Sequence, residues 1–318
     1  MTITQFRLTA GTDVGCIRTN NEDNFIANED LTRPDWFVPQ DTSAVINLGN
    51  DGCAFAVADG MGGLNAGEVA SAIAVEEVKQ QFMDADLSKL SQSKKGIEKF
   101  MNEIVVKADA KIKQHVTDNP STEGMGTTII IAWVLGNKVH LSWCGDSRGY
   151  MFNKESGLMR ISKDHSYVQE LVDAGKLDED LAFDHPNSNI ITRCLGDFKG
   201  KAQPEYRFYT LKRGDFILLC SDGLCSMCRD EEIENVMNSS CNNIEECKKQ
   251  LIQHALQAGG HDNVTIALFE VVDTLKNNDV DNNINIDKNY DKSNRNNIIY
   301  FVLVLLALLV AIIFYCFK

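Results

Sequence analysis

Four aspartates stand at the ends of apolar runs that are far apart in this sequence of 318 residues. Asp59 directly follows the run 55–58. Asp146 and Asp222 each stand two residues after such a run, and Asp262 stands two residues before another. A short, unbroken apolar run is typical of a strand that is buried on both faces. Acids that end several strands can converge at one edge of a sheet, so the pattern predicts a common site.

The chemistry of this predicted site follows from its carboxylates. Clustered carboxylates repel one another unless cations lie between them, and Mg²⁺ and Mn²⁺ prefer oxygen ligands. The turn Gly60–Gly63 would bring main-chain carbonyls close to a ligand. The competing interpretation is that each Asp-Gly pair is an ordinary turn, but its repetition favours a shared cation site. Two hard ions bridged by one aspartate would activate a water for attack on a phosphorus or carbonyl centre.

An arginine and an acidic pair stand close together near the N-terminus. Arg18 lies shortly before Glu22 and Asp23. A guanidinium group binds phosphate oxygens in bidentate fashion, so Arg18 is the candidate phosphate-binding residue. The alternative is a surface ion pair between Arg18 and Glu22.

The periodicity of the remaining chain predicts an α+β fold. Residues 127–135 and 138–144 are apolar, β-branched runs joined at Gly136-Asn137, which is typical of a hairpin. Further strands are predicted at 150–153, 216–220 and 264–272, and helices at 66–83, 97–116, 166–174, 230–237 and 243–257. Strands that meet in hairpins while helices occur in blocks indicate α+β rather than alternating βαβ units.

Charge and cysteine content bear on the class of function. The chain carries 45 acidic and 31 basic residues, a net charge of −14, and nucleic-acid binding needs basic surface instead. The first ten residues do not resemble a secretory signal, so the ten cysteines are expected to be reduced. Cys225-x-x-Cys228 could mark a zinc or redox site. No second pair with ligand spacing accompanies it, which favours two small buried hydrophobic residues.

The C-terminal part of the chain differs in composition. Residues 273–297 are rich in Asn and Asp, which is typical of a flexible linker. Residues 298–317 are 20 apolar or aromatic residues without a charge, long enough to span a bilayer as a helix. A buried core helix is the alternative, but such helices usually keep a polar face. Basic residues before this segment favour a cytoplasmic location for residues 1–272.

Between residues 8 and 272 the chain resembles the metal-dependent serine/threonine protein phosphatases of type 2C, in particular their bacterial-style branch. Eight motifs occur in the order found in that family: Arg18-x-x-Asn21-Glu22-Asp23, Ala58-Asp59-Gly60-Met61-Gly62-Gly63, Gly124-Met125-Gly126-Thr127-Thr128, Gly145-Asp146-Ser147-Arg148, Asp164-His165-Ser166, Ile191-Thr192-Arg193-Cys194-Leu195-Gly196, Ser221-Asp222-Gly223-Leu224 and Asp262-Asn263-Val264-Thr265. A set of eight ordered motifs is far more specific than one Asp-Gly pair.

The resemblance implies a catalytic domain, residues 1–272, built as an antiparallel β-sandwich flanked by helices on both sides. It implies that Asp59 bridges two Mn²⁺ or Mg²⁺ ions. Asp222 and Asp262 would complete the ligands of one ion, and the Gly60 carbonyl would bind the other.

Further roles carried over from the family surround these ligands. Arg18 would bind the phosphate of phosphoserine or phosphothreonine. Glu22 and Asp23 would act on waters bound to the ions, with Asn263 beside them. Asp146 matches the position that holds a third, weaker ion in bacterial relatives.

Two departures from the family pattern stand out. Animal members often have a histidine where this chain has Met61, which cannot donate a proton, so the general acid is unassigned. Residues 27–52 are long for the link between the first two motifs and would either shape partner recognition or be inert. Residues 164–196 would form the flap beside the site. His165 within it is interpreted as a residue with local hydrogen bonds rather than as an acid or base.

Together these features predict a phosphatase at the cytoplasmic face of a membrane. Its substrates would be phosphoserine and phosphothreonine proteins, among them a Ser/Thr kinase or the substrates of that kinase. The alternative from another class is a catalytically silent, membrane-tethered module that binds phosphoproteins. Metal binding would distinguish the two, because the silent module would not need it.

Overall fold

The computed structural model describes residues 2–34, 36, 44–62, 66–197, 200 and 202–275. Residues Ile3–Thr274 form one compact unit. The predicted transmembrane segment 298–317 and most of the predicted linker lie outside the described residues. Within the described ranges, no helix combines the length and the apolar character needed to cross a membrane.

The first sheet brings three of the candidate aspartates to one edge. Its strands are β1 (Thr2–Asp13), β3 (Ile46–Asn47), β8 (Arg148–Asn153), β9 (Gly157–Arg160), β11 (Phe216–Cys220) and β12 (Val264–Leu275), in the order β3-β1-β12-β11-β8-β9. In antiparallel pairs, the last residue of β11, Cys220, lies opposite Arg148 on one side and Ile266 on the other. The segments that carry Asp146, Asp222 and Asp262 therefore meet where β11 ends.

The second sheet carries Asp59. Its strands are β2 (Asp23–Asn28), β4 (Cys53–Met61), β6 (Ile129–Leu135), β7 (Lys138–Cys144) and β10 (Glu205–Thr210), in the order β10-β7-β6-β4-β2, while β5 (Gly126–Thr127) pairs with the end of β4. All its pairs are antiparallel. Asp23 lies directly opposite Asp59. Leu135 pairs with Lys138, so the predicted hairpin at Gly136-Asn137 is confirmed.

Helices cover the outer faces of both sheets. They are α1 (Gly67–Asp84), α2 (Leu87–Leu90), α3 (Lys94–Asp118), α4 (Tyr167–Asp173), α5 (Glu179–Ala182), α6 (Asp222–Cys225), α7 (Asp230–Ser240) and α8 (Ile244–Gln257), with a 3₁₀ turn at Pro120–Thr122. The five predicted helices correspond to α1, α3, α4, α7 and α8. Helix α3 begins earlier than predicted because Ser93 caps it, its Oγ accepting from the Gly96 N–H at 2.9 Å.

Three apolar clusters separate the layers. Between α1, α3 and the second sheet, the fully buried Trp133 packs against Phe82 and Phe100, with ring centroids 5.5 and 5.9 Å apart. Between the two sheets, Phe269 stacks on Phe6 at 5.2 Å. The third cluster joins the first sheet to α7 and α8. The predicted fold, an antiparallel β-sandwich with helices on both sides, is confirmed.

Several strands have no counterpart among the sequence predictions. β1, β2, β9 and β10 were absent from them. In β10, Glu205, Arg207 and Thr210 interrupt the apolar pattern, because β10 is an edge strand that pairs only with β7. An edge strand is half solvated, so its sequence lacks the apolar run that marks a central strand.

Two predicted segments differ from expectation at their margins. β12 continues to Leu275, so residues 273–275 belong to a strand rather than to the predicted linker. The long link 27–52 contains β3 and places Trp36 against Phe82, with ring centroids 5.6 Å apart. Residues 35 and 37–43 of that link lie outside the described residues.

Candidate active site

The strand ends bring five aspartates together, so that the charges of the other four act on Asp59. Asp59 lies at the end of β4, opposite Asp23, and the charges of Asp23, Asp222, Asp146 and Asp262 all act on it. Burial first, and then these charges, raise the pKa of Asp59 well above its ordinary value. The four strand-end aspartates predicted from sequence to share a site are therefore brought together.

The neighbouring carboxylates respond in the same way. Burial is the largest cause of the raised pKa of both Asp146 and Asp222. The second cause is a neighbouring charge, which for Asp146 is that of Asp222 and for Asp222 is that of Asp262. Burial raises the pKa of Asp23 to about 7, although a 2.6 Å hydrogen bond from Ser221 opposes the shift. Without cations, this cluster disfavours its own ionisation at neutral pH.

Thr127, in β5, and Thr128, between β5 and β6, hold Asp59 through its main chain. The carbonyl of Asp59 accepts from the Thr128 N–H and from Thr127 Oγ1, both at 2.9 Å. Its N–H donates to Thr128 Oγ1 at 3.1 Å, and that oxygen lies 2.6 Å from Ser147 Oγ. These bonds all involve main-chain atoms of Asp59 and none involves its carboxylate. The Thr127-Thr128 pair before an apolar run was the only sequence signal for this role.

Glycine at position 60 is required by close packing. A side chain there would lie 2.3 Å from the carbonyl oxygen of Gly67 and 2.4 Å from that of Glu22. The Gly60 N–H donates to the Glu22 carbonyl at 3.2 Å. The start of α1 and the segment before β2 therefore meet at the end of β4.

Asn263 organises the loop that carries Arg18. Its Oδ1 accepts from the Glu22 N–H at 2.8 Å, and its Nδ2 donates to the carbonyls of Val14 and Asn20, both at 2.9 Å. The predicted position of Asn263 beside the ligands thus has a structural basis. This one side chain, itself only 3% exposed, ties three points of the loop to the start of β12.

Arg18 points to the carboxylate cluster. Its Nη2 lies 2.7 Å from Asp262 Oδ2, and its side chain is 51% exposed. The hydrogen bond and charge of Asp262 raise the pKa of Arg18. The alternative of an ion pair with Glu22 is not what forms. A half-exposed guanidinium at the edge of an acidic cluster is accessible to an incoming phosphate.

Two glutamates add negative charge beside the cluster. Burial first, and then the charge of Glu68, raise the pKa of Glu22, while Arg18 acts in the opposite direction. Glu68 Oε2 is buried and has no hydrogen-bond partner within the described residues. Glu68, in the first turn of α1, was missed by sequence reasoning because nothing local distinguishes it from a helix-surface glutamate.

Two residues after Asp146, Arg148 forms a buried ion pair with Asp164, the first residue of the flap. Arg148 donates to both oxygens of Asp164, with Nε–Oδ1 at 3.1 Å and Nη2–Oδ2 at 2.7 Å. His165, next along the chain, is 4% exposed and its Nδ1 accepts from the Gly145 N–H at 3.1 Å. That bond fixes the neutral tautomer with the proton on Nε2, which lies 3.2 Å from Glu205 Oε1. Burial lowers the pKa of His165.

The other end of the flap is anchored on α3. Asp109 Oδ1 accepts from the Gly196 N–H at 2.9 Å, and Oδ2 accepts from the Ala202 N–H at 3.2 Å. Lys113 Nζ lies 2.8 Å from the same carboxylate. One residue before Gly196, Leu195 pairs with Thr127, which bonds to Asp59. Asp109 was not foreseen, because its partners are far away in the sequence.

The donor set fits hard divalent cations in its chemistry. Its members offer only carboxylate and carbonyl oxygens. The carboxylate charges repel one another, and cations bound between them would relieve this repulsion. Within the described ranges, however, no three Asp, Glu, His or Cys side chains already enclose an ion position. Asp262 faces Arg18 and Asp23 faces Ser221 instead. Side chains turn more readily than strand ends move, so these aspartates can turn toward a cation while the strands keep their positions.

Two other sequence interpretations concern sulfur. Met61 ends β4 opposite Gly126, and its thioether has no proton to donate. Cys225 and Cys228 are free thiols, 4% and 1% exposed, inside the cluster that joins the first sheet to α7 and α8. They pack as small hydrophobic residues, as the favoured interpretation predicted.

Comparisons with known proteins identify the family of this chain. The family profile of protein phosphatase 2C matches residues 20–264. The serine/threonine protein phosphatase PstP of Mycobacterium tuberculosis is 34% identical over 274 residues, which cover 84% of this chain and 45% of PstP. The chain therefore spans less than half of the length of that relative. The serine/threonine phosphatase stp of Listeria welshimeri is 31% identical, with 81% of this chain and 93% of that protein covered.

A solved structure extends the likeness to three dimensions. The catalytic domain of PstP in complex with two manganese ions superposes with a TM-score of 0.66 at 31% identity, covering 85% of this chain and 99% of that domain. The range that the family profile matches contains the whole second sheet and the five aspartates of the cluster around Asp59. The chain belongs to the protein phosphatase 2C family.

Proposed function

We propose that this protein hydrolyses phosphoserine and phosphothreonine in proteins, and that the reaction requires divalent metal ions. The observation that carries the proposal is the group of carboxylates with raised pKa around Asp59, with the Arg18 guanidinium at its edge. Relatives with the same fold are named serine/threonine phosphatases, and the PstP catalytic domain was crystallised with two manganese ions.

The residues that would hold the ions are those of the cluster. Asp59, Asp222, Asp262 and the Gly60 carbonyl would hold two Mn²⁺ or Mg²⁺ ions, and Asp146 would hold a third, weaker one. When bound, such ions supply a water of lowered pKa and neutralise charge on the phosphate. They would also offset the repulsion that, after burial, contributes to the raised pKa of Asp59, Asp146 and Asp222.

The remaining residues orient the substrate and the solvent. Arg18 would bind the phosphate, exchanging its bond to Asp262 for two bonds to phosphate oxygens. Glu22 and Asp23 would accept hydrogen bonds from ordered waters, and Asn263 keeps Glu22 in place through its main chain. Met61 has no proton to donate, and His165 is engaged with Gly145 and Glu205. The leaving serine oxygen would therefore take its proton from water.

The test of this function uses the full chain and a phosphothreonine peptide. We expect phosphate release in Mn²⁺ or Mg²⁺, loss of activity on chelation, and restoration when the metal is returned. Asp59→Asn should reduce the rate at least a hundredfold, because removal of a group that stabilises developing charge costs about 10²- to 10³-fold. Asp118→Asn, an exposed substitution on α3, is the matched control. Full activity in the Asp59 variant would refute the two-metal mechanism.

A catalytically silent module that binds phosphoproteins is the competing function. It is favoured by the Arg18–Asp262 ion pair, which engages a predicted metal ligand. In such a module the pair would persist in Mn²⁺, and calorimetry would detect no tight metal binding. Heat of binding for two ions per chain, lost in Asp59→Asn, would exclude it.

The membrane location is a further part of the proposal and rests on sequence. Residues 298–317 would span the bilayer, and residues 276–297 would tether a cytoplasmic catalytic unit to it. The substrates would then include membrane-associated phosphoproteins, among them a Ser/Thr kinase or its targets. Recovery of the full chain in the membrane fraction, with a deletion of 298–317 recovered as soluble protein, would support the anchor. Equal distribution of both proteins would contradict it.

A further inference from the structure

The distal half of the flap, residues 175–189, has few attachments to the rest of the protein. Most of its side chains are exposed, including Leu181 at 59%. Its hydrogen bonds are local, such as Leu181 N–H to Asp178 and His185 N–H to Ala182. Within the described residues, its hydrogen bonds, ion pairs and ring contacts beyond the flap all involve one residue, Arg229.

Arg229 contacts the flap in two ways at once. Its guanidinium carbon lies 4.3 Å from the centre of the Phe183 ring, close enough for a cation–π interaction. The same group forms an ion pair with Asp184. A planar guanidinium can stack on a ring and bind a carboxylate simultaneously, which a lysine ammonium does less well.

Arg229 stands on a well-fixed support. Its main-chain N–H donates to Glu232 Oε2 at 2.7 Å, which caps the start of α7. The next residue, Asp230, accepts from the buried Tyr150 hydroxyl at 2.8 Å and from Arg160 Nη2 at 3.0 Å. The position of the Arg229 main chain therefore does not depend on the flap.

The same helix terminus also reaches the base of the flap. Arg148 Nη1 lies 3.6 Å from Asp230 and 3.2 Å from the Tyr150 hydroxyl, while its other nitrogens bind Asp164, where the flap begins. Asp164 follows the segment of Asp146 and lies beside the acidic cluster, since its charge acts on Asp146. The start of α7 is thus connected to the flap at its base through Asp230 and at its far end through Arg229.

We propose that Arg229 is a positioning residue that holds the flap against α7 and thereby determines how well the site binds extended phosphopeptides. This role rests on the proposed phosphatase function. The base of the flap at Asp164 lies beside the acidic cluster, so in this proposal a peptide longer than the phosphorylated residue extends along the flap, whereas a small aryl phosphate needs only the cluster and Arg18. Loss of the contacts between Arg229 and the flap therefore weakens the binding of peptides and leaves the binding of small substrates unchanged.

The first measurement follows the flap itself. A protease specific for Glu cleaves after Glu179, which no variant used here alters. One exposed ion pair and one exposed cation–π contact correspond to about a five- to tenfold change in the detached population. We expect Arg229→Ala to be cleaved there about five times faster, Arg229→Lys to be intermediate, and the exchanged pair Arg229→Asp with Asp184→Arg to recover slow cleavage.

The second measurement follows catalysis with the full chain in Mn²⁺. Arg229→Ala should raise KM for a phosphothreonine peptide about fivefold with little change in kcat, and should leave kcat/KM for p-nitrophenyl phosphate unchanged. Arg213→Ala is the matched control: an exposed arginine in the turn before β11, whose other end leads to Asp222, which should change neither quantity.

The outcomes separate this role from the proposed function. Unchanged cleavage at Glu179 in Arg229→Ala, or equal losses on the peptide and the small substrate, would overturn the positioning role. Faster cleavage together with a selective rise in peptide KM supports it. If the unsubstituted protein hydrolysed neither substrate, the phosphatase function would fail, and the cleavage rates would still decide whether Arg229 holds the flap.

Discussion

Replacement of Asp23 by Asn should make the metal-free protein more stable while it weakens metal-dependent activity. Burial raises the pKa of Asp23 to about 7 in the folded protein, whereas the unfolded chain titrates near the ordinary value of about 3.9. The folded state therefore holds a proton that the unfolded state releases, and stability falls as pH rises between these values. At neutral pH the accumulated cost is about 4 kcal/mol, since each pKa unit corresponds to about 1.36 kcal/mol.

An asparagine at this position avoids most of that cost. Its amide oxygen can still accept the 2.6 Å bond from Ser221, but a neutral acceptor is weaker by about 1 kcal/mol. The net gain for Asp23→Asn is therefore about 3 kcal/mol at pH 8 in a chelator. At pH 4 the carboxyl is protonated in the folded state and about half protonated in the unfolded chain, so the gain should fall below about 1 kcal/mol.

Urea denaturation at pH 8 and pH 4, with chelator and with Mn²⁺, measures these quantities. The unsubstituted protein should gain about 2.7 kcal/mol from Mn²⁺ at a hundredfold excess over Kd, and the Asp23 variant less. Asp118→Asn, exposed on α3, controls for a simple change of charge. A variant that is no more stable than the unsubstituted protein at pH 8, or whose advantage persists at pH 4, would refute the reasoning.

Three further predictions concern other parts of the molecule. Burial lowers the pKa of His140 to about 4, so acidification from pH 7 to pH 5 should cost about 2 kcal/mol of stability through this residue. The urea midpoint of His140→Asn should therefore depend less on pH than that of the unsubstituted protein, and an unchanged dependence would contradict this prediction. Trp133→Ala should cost about 3 to 5 kcal/mol in calorimetry, because the ring is fully buried against Phe82 and Phe100, and a loss below 1 kcal/mol would contradict it. In steady-state assays, Arg18→Ala should raise KM for a phosphopeptide about 10- to 100-fold, because charge-assisted hydrogen bonds to the phosphate are lost. Arg18→Lys should be intermediate, and an unchanged KM would show that Arg18 does not bind the phosphate.

The central strands and their terminal aspartates could be predicted from sequence. β4, β6 and β11 are buried on both faces, so most of their residues form unbroken apolar runs, while in β7 the apolar residues alternate with His140 and Ser142. An acid at the end of such a run is conspicuous. The edge strand β10 was not predicted, because its solvated side carries Arg207 and other polar residues.

The supporting residues of the site could not be predicted in this way. Thr128 is recognised by its bonds to Asp59 and Ser147, and Asp109 by its bonds to Gly196 and Ala202. These partners are between 19 and 93 residues apart in the chain. A hydrogen bond over such a separation leaves no periodic pattern in the sequence, because it depends on how the layers pack.

The sequence by itself determined the strands that end in Asp59, Asp146 and Asp222, since burial on both faces and an acid at the end are local properties. It also determined the acidic character that suits divalent cations. Only the tertiary structure decided that Arg18 pairs with Asp262 rather than with Glu22, and that Arg229 contacts the flap. Those contacts join surfaces that exist only after the two sheets and the helices have packed, and the distances across such surfaces are set by the whole fold.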